Sequence, residues 1–389
     1  MDYKNLYEKI KNNVVKLEKS VDKKDKLFEK MIISEALTSN LNLGIVQLYS
    51  YAVCLIDEIS KICLSNKTNF DYNNFLIDKI SYEVLDKTYY NGHFLDLNAI
   101  RISLAYYNQA SSFKNDNEFI DKLISYYSFE PNQQQLFSNK DLKLKAFFKD
   151  LFSHIENTKK LVDLEKRISR NILNYIKIFN QKEILLNNKL IAGQMVAFFN
   201  LKAKTISCYD TSFLYSSLQH QKEYEQLNNL VLNQDFNDDN IQTIVKNFIL
   251  ICNHWYKTNI EILNYFAENS LRTISYFLQK MDLDYIRISS ENDLYERFFS
   301  IGYFDQYDLE MFYAKPVSEV EKMAKELIKD NVIRKVCNFN NTIFYTFVWI
   351  DEFFKNIMNG FDKTISENLT RKNWEKVKHF FEDKSKGTS

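Results

Sequence analysis

Residues Pro316–Trp349 have the sequence PVSEVEKMAKELIKDNVIRKVCNFNNTIFYTFVW, and this segment decides the predicted fold. Its first half predicts a helix, because its apolar residues recur at steps of three and one and so form a single stripe: Val320, Met323, Ala324, Leu327 and Ile328. Ser318 is placed to cap this helix, and Glu321 is three residues later, where it bonds back to the cap. Asp330 and Asn331 are predicted to end the helix, because both side chains compete for backbone hydrogen bonds and tolerate turn geometry.

The second half of the segment predicts two strands joined by a turn. Residues 332–336 form a short run with three apolar members, and the asparagine-rich residues 338–341 are turn formers. From Thr342 onward, aromatic and branched residues alternate with a period of two, which is typical of a strand. Two short helices are predicted upstream, at 293–300 and 305–313.

The order helix, strand, turn, strand resembles the last helix and the wing of a winged-helix domain, over about residues 290–350. In that family the last helix enters the DNA major groove and wing residues contact the backbone. The resemblance implies that exposed residues of the helix and of the wing base make the contacts, to DNA or to a protein: Glu321, Lys322, Lys325, Lys329, Arg334 and Lys335. A helical array that ends in a winged helix is also similar to the PCI arrangement of proteasome-lid and signalosome subunits. The segment LIKDNVIRKV carries that second likeness.

Composition favours long helices with few sharp corners. The 389 residues include only 6 glycines and 2 prolines, which tight turns use heavily. A hydrophobic content of 45% and a charged content of 26% are typical of a folded protein. The 51 basic and 51 acidic residues balance, so the chain as a whole has no electrostatic attraction to nucleic acid or to anionic membranes.

Helical periodicity continues over most of the chain. It predicts one helix from residue 239 to 281, on the order of 60 Å long, which must form one arm of a long bundle or coiled-coil hairpin. The nearly unbroken helical pattern at 140–186 is its predicted partner. Small residues at Ala192 and Gly193 predict a close helix contact. The most apolar window, 43–64, is interrupted by charged and polar residues, so it predicts a buried helix and not a membrane span.

We therefore predict an all-α protein of mainly long helices, an elongated helical bundle or array with a small C-terminal winged-helix-like module that contains one β-hairpin. The predicted parts are an N-terminal helical region at 1–135, a long-helix bundle or coiled-coil hairpin at 136–283, the winged-helix-like module at 290–350, closing helices at 351–383 and a disordered tail at 384–389. The five scattered cysteines and the polar N-terminus favour a cytoplasmic protein with free thiols.

The sequence contains no motif for catalysis, metal binding or a cofactor. Glycine-rich phosphate loops and the GxSxG pattern do not occur in it. Cys252 and His254 are two residues apart on a helix and point in different directions, so they do not ligate one metal ion together. Arg371 and His379 miss the spacing of a HEPN-type ribonuclease motif. We predict no catalytic residue, no metal ligand and no cofactor.

The charge of the C-terminal segment favours some of the remaining functions over others. Residues 284–350 contain eight basic and eleven acidic residues, a net charge of −3, whereas a surface that reads DNA is net positive. The first prediction is a non-catalytic structural or adaptor protein, a subunit of a larger assembly that binds protein partners through helix–helix and winged-helix contacts. One alternative is a DNA-binding regulator whose helical region dimerises or senses a signal. The other is an amphipathic surface-binding protein that uses the apolar stripe of the long helix.

Overall fold

The computed structural model describes ten segments of the chain, and the fold is given for them: residues 2–65, 120–121, 141–153, 163–181, 188–202, 211–280, 299, 304–313, 317–339 and 341–353. Of these residues, 83% are helical, and a three-stranded antiparallel sheet lies near the C-terminus. The predicted mainly helical fold with a small C-terminal sheet is confirmed at this level. None of the helices in these segments is both long and apolar enough to cross a bilayer.

The elements are numbered in chain order. The helices are α1 (Tyr3–Ser20), α2 (Leu27–Asn40), α3 (Leu43–Ser65), α4 (Asp141–Ser153), α5 (Leu164–Phe179), α6 (Asn188–Lys202), α7 (Phe213–Gln219), α8 (Gln221–Asn233), α9 (Asp238–Lys280), α10 (Gln306–Tyr313) and α11 (Val317–Lys329). The strands are β1 (Phe304–Asp305), β2 (Ile333–Phe339) and β3 (Thr342–Phe347). A single 3₁₀ turn, Lys23–Asp25, lies between α1 and α2.

Several predicted elements lie outside the described residues. They are short helices that the apolar period predicts at 75–85 and 95–107, nearly all of those predicted at 119–129 and 293–300, the closing helices beyond residue 353 and the tail at 384–389. The predicted boundaries near residues 135, 283 and 290 also lie there, so the five-part domain division stays a prediction.

Contacts between Cα atoms divide the chain into two compact units. The first unit comprises Met1–Ser39, Val53–Phe70 and Tyr89–Glu261, and the second comprises Asn40–Ala52, Asp71–Thr88 and Ile262–Ser389. Helices α3 and α9 therefore contribute residues to both units. The 43 residues of α9 confirm the predicted long helix, which begins one residue earlier than expected.

The core of the first unit is aromatic. Helix α5 packs against α1 and α6, and α7 packs against α6. Rings from α5, α7 and α9 meet where Phe213 lies 4.8 Å from Phe248 and 5.6 Å from Tyr175, measured between ring centroids. A Cβ atom on Gly193 of α6 would lie 2.4 Å from a side-chain carbon of Leu214 on α7. A larger residue at this position would require the buried Leu214 side chain to shift, which agrees with the close helix contact predicted there.

Two stretches whose apolar period predicts continuous helix, 140–186 and 212–232, contain breaks. The first break is at Asp163, a turn residue directly before α5, whose carboxylate accepts from Lys166 at 3.0 Å. The second is at His220, which separates α7 from α8 with φ −122° and ψ 49°. Neither position has glycine or proline, so the apolar periodicity alone did not reveal the breaks.

The sheet of the second unit has the strand order β1-β3-β2, and both pairings are antiparallel. Asn341 closes the turn between β2 and β3 with φ 63°, which asparagine tolerates better than most residues. The predicted hairpin is therefore present, with β2 extending to Phe339, beyond its predicted end. Strand β1 was not predicted, because two residues, Phe304 and Asp305, are too short to show a strand period.

Helix α11 ends where the sequence predicts. Asn331 has φ 58°, and its N–H donates to the carbonyl of Ile328 at 3.0 Å. The N–H of Val332 donates to the carbonyl of Leu327 at 2.9 Å. These two bonds form a Schellman motif with asparagine in the left-handed position, so the last helical carbonyls have partners. At the other end the helix begins at Val317, one residue before the predicted cap Ser318.

An aromatic cluster in the second unit holds the C-terminal module on the last part of α9. The centroid of Phe266 lies 5.4 Å from that of Trp349 and 5.0 Å from that of Phe353. The Tyr265 hydroxyl donates to the Trp349 carbonyl at 3.0 Å. Trp349 was predicted as the end of a strand, but the backbone is helical from residue 348. Because residues four apart share a helix face, Trp349 and Phe353 can both contact Phe266.

Candidate interaction surface

The outer face of α11 is the best-defined candidate site in the described residues. Val320, Ala324 and Leu327 are buried, at spacings of four and three, so the opposite face points away from the module. That exposed face contains four of the predicted contact residues: Glu321, Lys322, Lys325 and Lys329.

Ile328 also lies on this exposed side, which corrects its predicted place in the apolar stripe. Its side chain is 43% exposed, whereas its neighbour Leu327 is buried. A stripe of Val320, Ala324 and Leu327 already fills the contact with the module, so Ile328 lies beyond its edge. The surface therefore has one apolar side chain beside its charges.

The acidic residues of α11 are exposed and flank its lysines, Glu321 on one side and Glu319 and Glu326 on the other. Burial raises the pKa of Tyr345, and the charge of Glu321 raises it further. The Tyr276 hydroxyl of α9 donates to Asp330. Burial, that hydrogen bond and the charges of Asp330 and Glu326 raise the pKa of Tyr276 to about 12.

The basic residues of α11 lie between these acidic edges. Lys322, Lys325 and Lys329 are exposed, and none forms an ion pair within the described segments. We call these three lysines together with Ile328 the lysine surface. The surface is locally positive although the module around it is acidic.

Arg334, predicted as a contact residue at the wing base, is already held within the module. Its guanidinium donates from Nη2 to the Asp351 carboxylate, which is buried. The sequence gives no sign of this pair, because Asp351 is 17 residues away and lies in a different predicted part. Lys335 is exposed on β2, opposite Tyr345 of β3. Of the two predicted basic residues of the wing, Lys335 forms no ion pair within the described residues, whereas Arg334 pairs with Asp351 and is 37% exposed.

A second cluster of polar side chains lies in the first unit, where α7 and α8 meet α9. Nδ1 of His254 lies 3.2 Å from Oγ of Ser216, and the rings of His254 and His220 meet edge to face at 5.0 Å. Tyr215 stacks on His254 at 6.3 Å. The sequence showed no sign of this cluster, because the two histidines are 34 residues apart and form no motif.

The chemistry of this cluster is that of a packed interior. A serine–histidine pair is also the start of a nucleophilic site, but Ser216 is fully buried and leaves no approach for a substrate. The neighbouring Cys252 is also buried, and burial raises the pKa of its thiol well above the ordinary value. Among the described residues, no group of three or more metal-ligating side chains forms.

No protein-family model matches the chain, and no curated protein matches it in sequence. The winged-helix and PCI likenesses therefore rest on the order of elements in this chain.

The histidine cluster predicts that the protein loses stability in mild acid. Burial, helped by the charges of His220 and Lys257, lowers the pKa of His254 to about 4. Burial also lowers the pKa of His220, against the opposing charge of Glu223. The unfolded chain takes up protons near the ordinary pKa of 6.5, so between pH 6.5 and 4 it binds more protons than the folded chain. The free energy of unfolding should therefore fall over this window, by about 1 kcal/mol after allowance for solvent screening.

Urea denaturation between pH 7 and 4.5 measures this loss. We expect His254→Gln to flatten the pH dependence relative to the unchanged chain, because glutamine does not titrate. Carboxylates contribute the same background to both chains, so equal slopes would show that His254 has no part in acid sensitivity.

Proposed function

We propose that this protein is a non-catalytic adaptor, a subunit of a larger assembly that binds other proteins through a C-terminal winged helix and through its helices. The observation that carries this proposal is the ion pair of Arg334 with Asp351, which neutralises a basic residue of the wing base inside the module. The described residues of the module, from 304 to 353, include five basic and nine acidic side chains. A surface that reads DNA needs a net positive charge to neutralise phosphates.

The order of elements supports a winged helix. Helix α11 is followed directly by the β2–β3 hairpin, as the last helix is followed by the wing in that family. Strand β1 precedes α10 and pairs with β3, which closes the sheet on the side away from β2. The proposed side-by-side association of such modules, as in the PCI arrangement, is consistent with an exposed outer face of α11.

The two alternatives have less support. A DNA-binding regulator would depend on Lys335 and the lysine surface, against the acidic balance of the module. An amphipathic surface binder would need a free apolar stripe on α9, but Phe248, Trp255 and Phe266 of that stripe are buried in the protein.

Retention on duplex DNA separates the adaptor from the regulator. Phosphate contacts contribute most of non-specific affinity and are strongest at low salt, and the acidic balance of the module opposes them. We therefore expect no retention of the full chain at about 50 mM or about 200 mM salt. Retention at 50 mM that disappears in Lys329→Glu with Lys335→Glu would favour the regulator. This variant is preferred to one at Arg334, since it leaves the ion pair with Asp351 intact.

Affinity capture of the full chain from its native cell, with mass spectrometry, tests the adaptor directly. We expect partner proteins in near-stoichiometric amounts. Recovery of the chain without any such partner would contradict the adaptor function.

A further inference from the structure

On α11 the lysines are separated from the glutamates of the same helix. Lys322, Lys325 and Lys329 are three and four residues apart, so they lie along one line of the helix. By helical spacing the carboxylates of the same helix lie on the two flanks of this line, Glu321 on one side and Glu319 and Glu326 on the other, and all three are exposed. A helix of mixed charge in the sequence thus presents a positive line to the outside.

We propose that the lysine surface binds an acidic segment of a partner protein, and that an apolar side chain of this segment packs on Ile328. This inference rests on the proposed adaptor function and names the class of partner. The charges of such a segment complement the three lysines, which form no ion pair within the described segments. The exposed Ile328 provides an apolar contact at the same place, and a small apolar anchor inside a charged rim is typical of a specific protein contact.

A nucleic acid fits this surface less well. A duplex is a long polyanion, and it would approach the carboxylates at both edges of α11 as well as the lysines. Its backbone also offers no apolar group for Ile328. A short acidic segment avoids both penalties, because it covers only the line of lysines and the side chain beside it.

Fluorescence anisotropy with two designed peptides tests this proposal on the full chain. The first peptide is a labelled amphipathic helix with four glutamates on one face and a leucine among them, and the second has serine in place of that leucine. At about 150 mM salt we expect the first peptide to bind. Changing Lys322, Lys325 and Lys329 together to glutamate should weaken binding by about tenfold to a hundredfold, as three exposed ion pairs are lost and reversed.

The apolar contact is tested separately. We expect about a threefold to tenfold loss of affinity when the leucine of the peptide is replaced, or when Ile328→Ser is introduced. Ile328 is partly exposed, so this variant should fold normally. A loss of peptide affinity with either change, in addition to the loss caused by the triple lysine variant, would support a protein ligand. It would argue against a general attraction between opposite charges.

Matched controls come from the first unit. Lys4, Lys16 and Lys19 of α1 are exposed, and changing all three to glutamate alters the net charge by the same amount. Ile33 of α2 is exposed to a similar extent as Ile328, so Ile33→Ser controls for the loss of an apolar surface residue. Neither control should change peptide affinity. An equal loss in the α1 variant would overturn the proposal, since net charge and not the lysine surface would then decide binding.

Two further outcomes separate this inference from the proposed function. If the native-cell capture recovers partners equally with the triple lysine variant and the unchanged chain, the adaptor function stands and the lysine surface is overturned. If the unchanged chain recovers no partner, the adaptor function itself fails. Duplex DNA that binds through the three lysines and is insensitive to Ile328→Ser would also overturn the proposal and assign the surface to nucleic acid.

Discussion

Phe266→Ala is expected to lower the free energy of unfolding of the second unit by about 3–5 kcal/mol. Phe266 is fully buried, and its ring contacts Trp349, Phe353 and Tyr49 at centroid distances of 5.4, 5.0 and 6.2 Å. Alanine would leave a cavity between α9 and the C-terminal module, and would remove the edge-to-face contacts as well as the buried area.

Urea denaturation followed by tryptophan fluorescence measures this effect, because Trp349 is part of the cluster. Leu271→Ala is the matched control: it lies on the same helix but is 56% exposed, so we expect a change of about 0.5 kcal/mol or less. The docking of the module on α9 through this cluster would be wrong if both variants unfolded at the same urea concentration.

Arg167→Met is expected to destabilise the first unit by about 3 kcal/mol. The Arg167 side chain is 3% exposed, and its Nη1 donates to Oε1 of Glu35 at 2.5 Å. Glu35 is 14% exposed, so removing the arginine leaves a largely buried carboxylate without this counter-charge. Nε and Nη2 of Arg167 are buried and form no hydrogen bond with the described residues, so the guanidinium is incompletely satisfied among them.

The double variant Arg167→Met with Glu35→Gln tests the origin of this loss. It should recover at least half of the lost free energy, because it also removes the negative charge of Glu35. Lys145→Met is the control, since the ion pair of Lys145 with Asp121 is about half-exposed on both sides and should contribute no more than about 1 kcal/mol. A double variant as unstable as the single one would show that packing of the Arg167 stem, and not the charge of Glu35, causes the loss. Thermal or urea unfolding at pH 7 provides the measurement.

The local features of this protein could be predicted from its sequence. The 43 residues of α9 follow from an apolar stripe without glycine or proline, and the end of α11 follows from the turn chemistry of Asn331. The hairpin follows from the alternation after Thr342. Each of these features depends on residues close together in the chain. There the backbone conformational preferences and the period of the apolar side chains determine the local structure.

Contacts between residues far apart along the chain could not be predicted from the sequence. The ion pair of Arg334 with Asp351 joins two different predicted parts of the chain, and no motif indicated the contact of His220 with His254. Strand β1 exists because two residues pair with β3, although they have no strand pattern of their own.

The sequence by itself determined that α11 is an amphipathic helix with charges of both signs on its outer side. The fold determines what this helix packs against: Val320, Ala324 and Leu327 are buried, whereas its glutamates and lysines are exposed. Within the second unit, Asp330 accepts a hydrogen bond from the Tyr276 hydroxyl of α9. The three lysines and Ile328 are left on the outside, because the direction in which a helix turns its charges is set by what packs against its other side.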